Sequence, residues 1–148
     1  MKASSLLHKK DKMKKVKMTH KFTKEQTISL YTRGKIRIDD GTIVIPENAF
    51  RGCLNLKTII IPASVKRIDD EAFAHCIDLN KIVFEGQVPL VKSGAFEGCD
   101  NISEVEYWFP PNLSKEEKIE CNRIVSIIFG AQDKVVGRYY EEEENQIS

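Results

Sequence analysis

The feature that most constrains this chain is a short motif that recurs three times at one fixed spacing. Ala49-Phe50-x-x-Cys53 returns as Ala72-Phe73-x-x-Cys76 and again as Ala95-Phe96-x-x-Cys99, an offset of 23 residues both times. Periods of roughly 20–50 residues are the signature of repeat folds, in which each unit packs only on its neighbours. The spacing therefore predicts a stack of similar units.

Four further columns of apolar residues keep the same offset. Because many independent positions share one period, chance is a poor explanation for it. A partial first unit begins near Ile36, where Arg33 stands at the position of the expected leucine. The columns are Leu56, Leu79 and Ile102; Ile36, Ile59, Ile82 and Val105; Ile38, Ile61, Phe84 and Tyr107; and Ile45, Ile68 and Val91.

A single unit can be interpreted from its residue types. Ile59 and Ile61 alternate with other residues, as in a short strand with one buried face, and Pro62 stops the pairing. The acids of residues 69–71 precede Ala72-Phe73, which predicts the first turn of a short helix. One unit cannot bury its own apolar face, so about three or more must stack.

The unit resembles the BspA-like type of leucine-rich repeat, written Leu-x-x-Ile-x-Ile-Pro-x-Ser-Val-x-x-Ile-x-x-x-Ala-Phe-x-x-Cys. Residues 56–76 fit this pattern almost position by position, and the resemblance covers residues 33–107. The next unit departs from the pattern at residues 85–88. The resemblance implies an α/β fold, a short curved solenoid of three to four units with a parallel sheet on one face. It also implies binding of other molecules, often at the surface of bacteria or parasitic protists, and no catalysis.

The ends of the repeat have the character of caps, since terminal units of a solenoid would otherwise expose apolar edges. Residues 25–34 are predicted to cover the first edge, with Ile28 and Leu30 facing inward. At the other end, Ser114-x-x-Glu117 is a capping box that predicts a helix to about Phe129, ended by Gly130.

The apolar residues of this C-terminal helix allow two interpretations. The helix either packs as a cap on the last repeat or contacts a partner, including a second copy in a homodimer. A short strand at Val135–Gly137, with Tyr139-Tyr140, is also compatible with the sequence. One helical face carries Cys121, Ile124, Val125 and Ile128, and Ile119 and Ile127 widen it.

Charge divides the chain into segments. Residues 1–24 hold nine lysines and one acid, and residues 139–148 hold four glutamates and no base, although the whole chain has a net charge of only +1. Blocks of like charge usually remain solvated tails. We therefore divide the chain into a basic flexible arm (1–24), a capped repeat solenoid (25–107), a C-terminal capping-helix region (108–138) and an acidic tail (139–148).

The basic arm is either a solvated tail or a contact for phosphates of nucleic acid or an anionic membrane. It has no arginine and, histidine aside, only one aromatic residue, so any such binding is expected to be weak, non-specific and salt-sensitive. The candidate phosphate contacts are Lys9, Lys10, Lys12, Lys14, Lys15 and Lys17.

No residue pattern in the chain indicates catalysis. Cys53, Cys76 and Cys99 share one repeat column and are best interpreted as small buried hydrophobes, because no CxxC or histidine pair accompanies them. The sequence contains no P-loop, GxGxxG or GxSxG motif. We expect a non-enzymatic protein with no cofactor, no metal and no small-molecule substrate.

The outward side chains of the predicted strands form the candidate binding surface for another protein. Ile60 and Val83 are apolar where a solvated sheet would carry polar residues, and Trp108 offers an aromatic anchor. The alternative is that β-branched residues merely favour strands and that Trp108 packs under the cap. This face is also expected to have a basic end at Lys35 and Arg37 and an acidic end at Glu104 and Glu106. The candidate contacts are Arg37, Ile60, Lys81, Val83, Glu106 and Trp108, in outward rows that also contain Lys35, Thr58 and Glu104, and Asp39, Pro62 and Glu85.

Localisation is left open by the sequence. It lacks the apolar stretch of a secretory signal and any run long enough to span a membrane, which favours the cytoplasm. The family resemblance points instead toward the cell surface.

Overall fold

The computed structural model describes residues 22–131 and 134–138, which form a stack of similar turns with a helix packed at each end of the core. Each complete turn contributes one strand to a main sheet and a two-residue strand to a smaller sheet. The elements are α1 (Lys24–Arg33), β1 (Lys35–Arg37), β2 (Val44–Ile45), β3 (Thr58–Ile61), β4 (Arg67–Ile68), β5 (Lys81–Phe84), β6 (Leu90–Val91), β7 (Glu104–Trp108), α2 (Lys115–Phe129) and β8 (Lys134–Arg138).

Both sheets are parallel, and their register reproduces the repeat period. The main sheet has the order β1-β3-β5-β7-β8, and the smaller one has the order β2-β4-β6. Ile36 pairs with Ile59, which pairs with Ile82, so equivalent residues of successive units lie side by side. This confirms the predicted solenoid, with its parallel sheet on one side.

A column of stacked rings runs through the core. The centroids of the Phe50 and Phe73 rings are 5.0 Å apart and the ring planes are nearly parallel, and Phe73 stacks on Phe96 at the same distance. Residues outside the repeat extend the column at both ends, because Phe22 lies on Phe50 and Phe129 meets the edge of Phe96. Offset ring pairs stabilise a core beyond the area that they bury.

The short helix predicted around Ala72-Phe73 is wrong, because this segment forms a series of hydrogen-bonded turns. The Ala72 N–H donates to the Asp69 carbonyl within the turn, whereas the Phe73 N–H donates to the Ala95 carbonyl of the next unit. Glu71 adopts a left-handed conformation, with φ at +58°. Backbone groups that would build a helix are therefore used to join neighbouring turns.

The three cysteines of the repeat column are buried beside the phenylalanine stack, as the sequence predicts. The thiol of Cys76 donates to the carbonyl of Phe50 over 3.1 Å, and that of Cys99 donates to the carbonyl of Phe73 over 2.9 Å. The hydrogen bond with Cys99 and burial raise the pKa of the Cys76 thiol well above 9.0. These thiols therefore tie the backbone of one turn to the next.

The first end is closed by α1, but the predicted inward face is half wrong. Leu30 is buried, whereas 54% of Ile28 is exposed. The inward partner of Leu30 is Gln26, four residues earlier, because residues two apart on a helix lie on different faces. The helix begins at Lys24 with Thr23 as its N-cap, within the segment that the charge pattern assigns to the arm.

The last end is closed by α2, whose predicted bounds are confirmed. Ser114 and Glu117 form the expected capping box, and Gly130 ends the helix in the left-handed conformation. The predicted inward face is wrong in part. Val125 and Phe129 are buried and cover the last turn, whereas Ile124 and Ile128 remain nearly half exposed.

The short strand allowed for at Val135–Gly137 is present as β8, paired in parallel with β7. It lies beyond α2 in the chain and forms the last strand of the main sheet. Tyr139-Tyr140 and the acidic tail lie outside the described residues, as does the arm through residue 21.

Candidate interaction surface

The outward face of the main sheet consists of regular rows that cross the strands. One row runs Arg37, Ile60, Val83, Glu106 and Val136, and strand pairing places each residue beside the next. Neighbouring strands lie about 4.8 Å apart, so the side chains of a row touch or nearly touch. The sequence predicts this row correctly as far as Glu106, and the structure extends it by Val136.

Ile60 and Val83 form an apolar pair at the centre of this face. Both are partly exposed, whereas Ile59, Ile61 and Ile82 between and beside them are buried. The alternation follows from strand geometry, in which successive side chains point to opposite faces. Two β-branched side chains side by side present a rigid apolar patch at low cost in side-chain entropy.

Charged residues on the β7 side of this pair form an ionic network. The Lys81 ammonium lies 3.4 Å from a Glu106 carboxylate oxygen and 3.7 Å from one of Glu104, and Arg138 contacts Glu106 at 2.8 Å. Burial raises the pKa of Glu106, but the nearby Lys81 and Arg138 outweigh it, so the pKa is lowered below 4.5. Glu106 therefore remains ionised at neutral pH and holds both cations in place.

Arg37 closes the opposite side of the apolar pair. Its guanidinium contacts Asp40 at 2.8 Å and Glu85 at 2.5 Å. Because β3 lies between β1 and β5, the bond to Glu85 reaches across the end of β3. The face thus has an apolar centre between two sets of paired charges, an arrangement common at protein interfaces.

The third predicted outward row is only partly correct. Pro62 is buried, so it does not belong to the exposed face, while Asp39 and Glu85 are exposed. Trp108 is partly exposed and lines an apolar groove of about 250 Å³ between the end of the sheet and α2, together with Tyr107 and Pro110. Pro62 directly follows the end of β3 at Ile61, where the Arg37–Glu85 ion pair crosses that strand.

Trp108 lies at the margin of the Ile60–Val83 pair. By ordinary strand spacings it is roughly 8 Å from Val83, one strand and two residues away, and roughly 12 Å from Ile60. Beneath it, the Tyr107 hydroxyl donates to the Asn122 side-chain oxygen over 2.7 Å, which joins β7 to α2. Burial, with a smaller contribution from Cys121, raises the pKa of Tyr107, so this hydroxyl keeps its proton.

The sequence predicts that the outward face ends at the acidic residues Glu104 and Glu106. This prediction is wrong, because another strand lies beyond them. β8 follows Glu104 and Glu106 and adds Lys134 and Arg138 to the same rows. The repeat period does not predict these two cations, because β8 follows β7 at an offset of 30 residues, whereas the period is 23. Helix α2 lies between β7 and β8 and lengthens this connection, so β8 does not fall at a position that the repeat period predicts.

Three further observations concern metal binding, membrane spans and the lysine-rich arm. Within residues 22–131 and 134–138, no group of histidine, cysteine, aspartate and glutamate side chains is arranged to hold a metal ion. No helix in those ranges is long and apolar enough to cross a bilayer. The lysines proposed to contact phosphate, Lys9 to Lys17, lie outside the described residues.

Comparison with protein families agrees with the register of the sheet. A family model described as "BspA type Leucine rich repeat region (6 copies)" matches residues 29–145, which is most of the chain. The chain belongs to the BspA-type leucine-rich-repeat family. No curated protein and no solved structure matches it. The family match extends beyond the repeat motif of the sequence and includes α2 and β8 of this BspA-type solenoid.

Leucine-rich repeats of this type form protein-interaction modules, and the fold of this BspA-type chain is of that kind. A solenoid suits such a role because it presents one long regular face whose exposed residues can vary without changing the buried columns. In this chain that face carries Ile60 and Val83 between paired charges.

Proposed function

We propose that this BspA-type chain binds another protein through the outward face of its main sheet, centred on Ile60 and Val83. The observation that carries the proposal is the pair itself, two adjacent apolar side chains in register with ion pairs on both sides. Binding energy at protein interfaces concentrates in a few central residues that become fully desolvated. No catalytic step is part of this function.

The charged residues around the pair are assigned a different role. Arg37, Lys81 and Glu106 are already paired within the free protein, so a partner gains little by neutralising them. They fix the orientation of the partner and exclude proteins whose charges do not match. Trp108 is assigned to the edge of the surface, where it would contact only a partner that reaches the groove beside α2.

The test uses three full-length baits in parallel captures from host lysate. They are the unaltered chain, the double variant Ile60→Glu and Val83→Glu, and the control Ile77→Glu. Ile77 is half exposed, so its replacement introduces the same chemistry outside the main sheet. A protein retained by the unaltered chain and the control but lost by the double variant, and then bound as a purified protein, supports the proposal. Equal retention by all three baits contradicts it.

A second proposal concerns the lysine-rich arm. Nine lysines in residues 1–24 are a density of charge that attracts phosphate groups, whether of nucleic acid or of an anionic membrane. Binding through the arm would be lost on removal of residues 1–21 and would weaken steeply as salt is raised. Binding through the sheet would tolerate both changes, so one titration separates the two proposals.

A third proposal is that α2 mediates homodimer formation. Four isoleucines of this helix, Ile119, Ile124, Ile127 and Ile128, are exposed by 43–65%. Sedimentation at increasing concentration tests the proposal. We expect self-association that Ile127→Glu abolishes, and a monomer at every concentration would refute it.

A further inference from the structure

The two edges of the main sheet are finished in different ways. We call β1 the first edge and β8 the last edge, since each has a sheet neighbour on one side only. An unpaired strand edge presents N–H and C=O groups that can pair with another chain, and proteins usually cover or charge such edges. The strand edges are distinct from the outward face to which the function is assigned above.

The first edge is covered by α1. The Ile38 N–H donates to the Ile60 carbonyl, so in a parallel ladder the backbone groups of Arg37, one residue before, point away from β3. The Arg37 carbonyl then accepts a hydrogen bond from the Gln26 side-chain amide over 2.9 Å. Gln26 is buried, and Leu30 of the same helix packs in the core. A further strand cannot pair here without displacing α1.

No described residue covers the last edge in this way. The Lys134 N–H donates to the Ser103 carbonyl over 2.8 Å, and the Phe109 N–H donates to the Arg138 carbonyl over 2.9 Å. Along a strand, the backbone groups of successive residues point alternately to one side and to the other. Because those of Lys134 and Arg138 point to β7, the N–H and C=O groups of Val135 and Gly137 point away from it. No hydrogen bond to those groups comes from any residue in the described ranges.

Next to this open edge lies a cavity that is lined by apolar side chains and by lysines. A cavity of about 330 Å³ lies between β8 and α2. Lys115 and Lys118 of α2 line it, and Lys134 lies in β8 next to it. β8 itself contains two bases and no acid. The apolar lining consists of Phe109, Ile119, Val135 and Val136.

We propose that the free edge of β8 binds an extended segment of a partner protein in which acidic residues alternate with apolar ones. The backbone of the segment would pair with Val135 and Gly137, and its apolar side chains would enter the cavity beside Ile119. Its acidic side chains would lie on the outward face next to Lys134 and Arg138. Charge complementarity favours this occupant over a second β8, which would bring like charges together.

Strand β7 already shows that this pattern fits β8. Its sequence alternates Glu104, Val105, Glu106 and Tyr107, and it pairs with β8 in register. Glu106 contacts Arg138 at 2.8 Å, while Val105 and Tyr107 point into the core. The partner segment would repeat on the open side of β8 what β7 does on the closed side.

The experiment uses a fluorescently labelled peptide with the sequence of residues 101–110 and the full-length protein, with binding followed by fluorescence anisotropy. We expect saturable binding of this peptide. The same peptide with Glu104→Lys and Glu106→Lys should bind at least about fivefold more weakly, since two exposed charge pairs become repulsive. A version N-methylated at every amide of residues 103–108, which has no N–H left on either edge to pair with a strand, should not bind.

Two protein variants test the location. Val135→Pro removes an edge N–H without removing a bond to β7, and proline is tolerated on edge strands, so peptide binding should be lost while the fold remains. Lys134→Glu should weaken binding about fivefold. The matched control Lys35→Glu changes an exposed lysine of the same row at the first edge, and it should leave binding unchanged.

Several results would overturn the proposal. One is equal binding of the acidic and the lysine-substituted peptides, and another is binding that survives N-methylation. Binding that appears only after residues 139–148 are removed would show that the chain's own tail occupies the edge. Self-association that Val135→Pro abolishes would assign the edge to a second copy. The N-methylated peptide keeps the proposal refutable even if Val135→Pro fails to fold.

Discussion

Replacing Gln26 by glutamate is the sharpest test of how the first edge is closed. The side-chain oxygen of Gln26 accepts the Thr23 N–H over 3.0 Å, which completes the capping box of α1. Its amide nitrogen donates to the Arg37 carbonyl at 2.9 Å and to an Asp39 carboxylate oxygen at 3.2 Å. Gln26→Glu keeps the shape and the capping acceptor but removes both donors, so it isolates the contribution of the edge contact.

The expected loss follows from these contacts. Two hydrogen bonds contribute about 1 kcal/mol each, and the Arg37 carbonyl loses its donor. The introduced carboxylate would also lie about 3 Å from that of Asp39, a repulsion between about 1 kcal/mol in water and 5 kcal/mol at an effective dielectric constant of 20. Asp39 is exposed, so the lower part of this range applies. We expect the free energy of unfolding to fall by about 3–5 kcal/mol at pH 7.

Gln26→Ala provides the comparison. It loses the capping acceptor as well as both donors but adds no charge, so the expected loss is about 2–3 kcal/mol. The glutamate variant should therefore be the less stable of the two at pH 7, although it keeps more of the original side chain.

Acidification should reverse much of the loss in Gln26→Glu. Burial and the Asp39 carboxylate raise the pKa of the introduced carboxyl in the folded state above its value in the unfolded chain. The folded state then binds the proton more tightly, so the penalty is complete above the raised pKa and shrinks as the pH falls through it. The deficit of Gln26→Ala involves no new titrating group and should stay nearly constant.

Urea unfolding followed by circular dichroism, between pH 7 and pH 4.5, measures these differences. Ile28→Glu is the control, because it adds the same charge to an exposed position of the same helix and should change stability little. The reasoning would be refuted by a Gln26→Glu protein as stable as the unaltered chain at pH 7. A deficit that does not change with pH would refute the electrostatic part of it.

Three further predictions concern the core, the outward face and the thiols. Phe73→Ala should lower the free energy of unfolding by about 4 kcal/mol in urea titrations, and Phe22→Ala, at the end of the ring stack, by clearly less. Because the pKa of Glu106 is lowered, its contribution to stability is complete above about pH 4.5 and is lost on further acidification. Glu106→Gln should therefore show a shallower acid-induced loss in thermal melts, and an unchanged slope would contradict this. Under iodoacetamide, mass spectrometry should find Cys121 modified before Cys76, which is fully buried, and the reverse order would refute the assigned burial.

Much of the fold could be predicted from the sequence because equivalent residues of the units recur at a fixed spacing along the chain. An offset of 23 residues places Ile36, Ile59 and Ile82 in one column, and parallel pairing between units keeps them there. The bounds of α2 were equally accessible, since Ser114 and Gly130 satisfy backbone groups of the helix ends locally.

The candidate interaction surface could be predicted only in part from the sequence. Ile60 and Val83 follow from strand alternation, which is a local property. The ion pairs that flank them depend on which long side chains meet across strands, and Glu85 reaches Arg37 from 48 residues away. The burial of Pro62 and the position of Trp108 beside α2 likewise depend on contacts between segments that are distant in the sequence.

The sequence by itself determined the stacking of the units, the buried phenylalanine and cysteine columns and the existence of a helix at the C-terminal end. Tertiary structure alone decided that α2 buries Val125 and Phe129 and that β8 joins the sheet beyond it. It also decided that Gln26 closes one edge, whereas no residue in the described ranges covers the other. The reason is that a repeat period specifies only contacts between equivalent units. The ends of a solenoid have no equivalent neighbour. Their contacts therefore depend on how non-repeating segments pack against the terminal units.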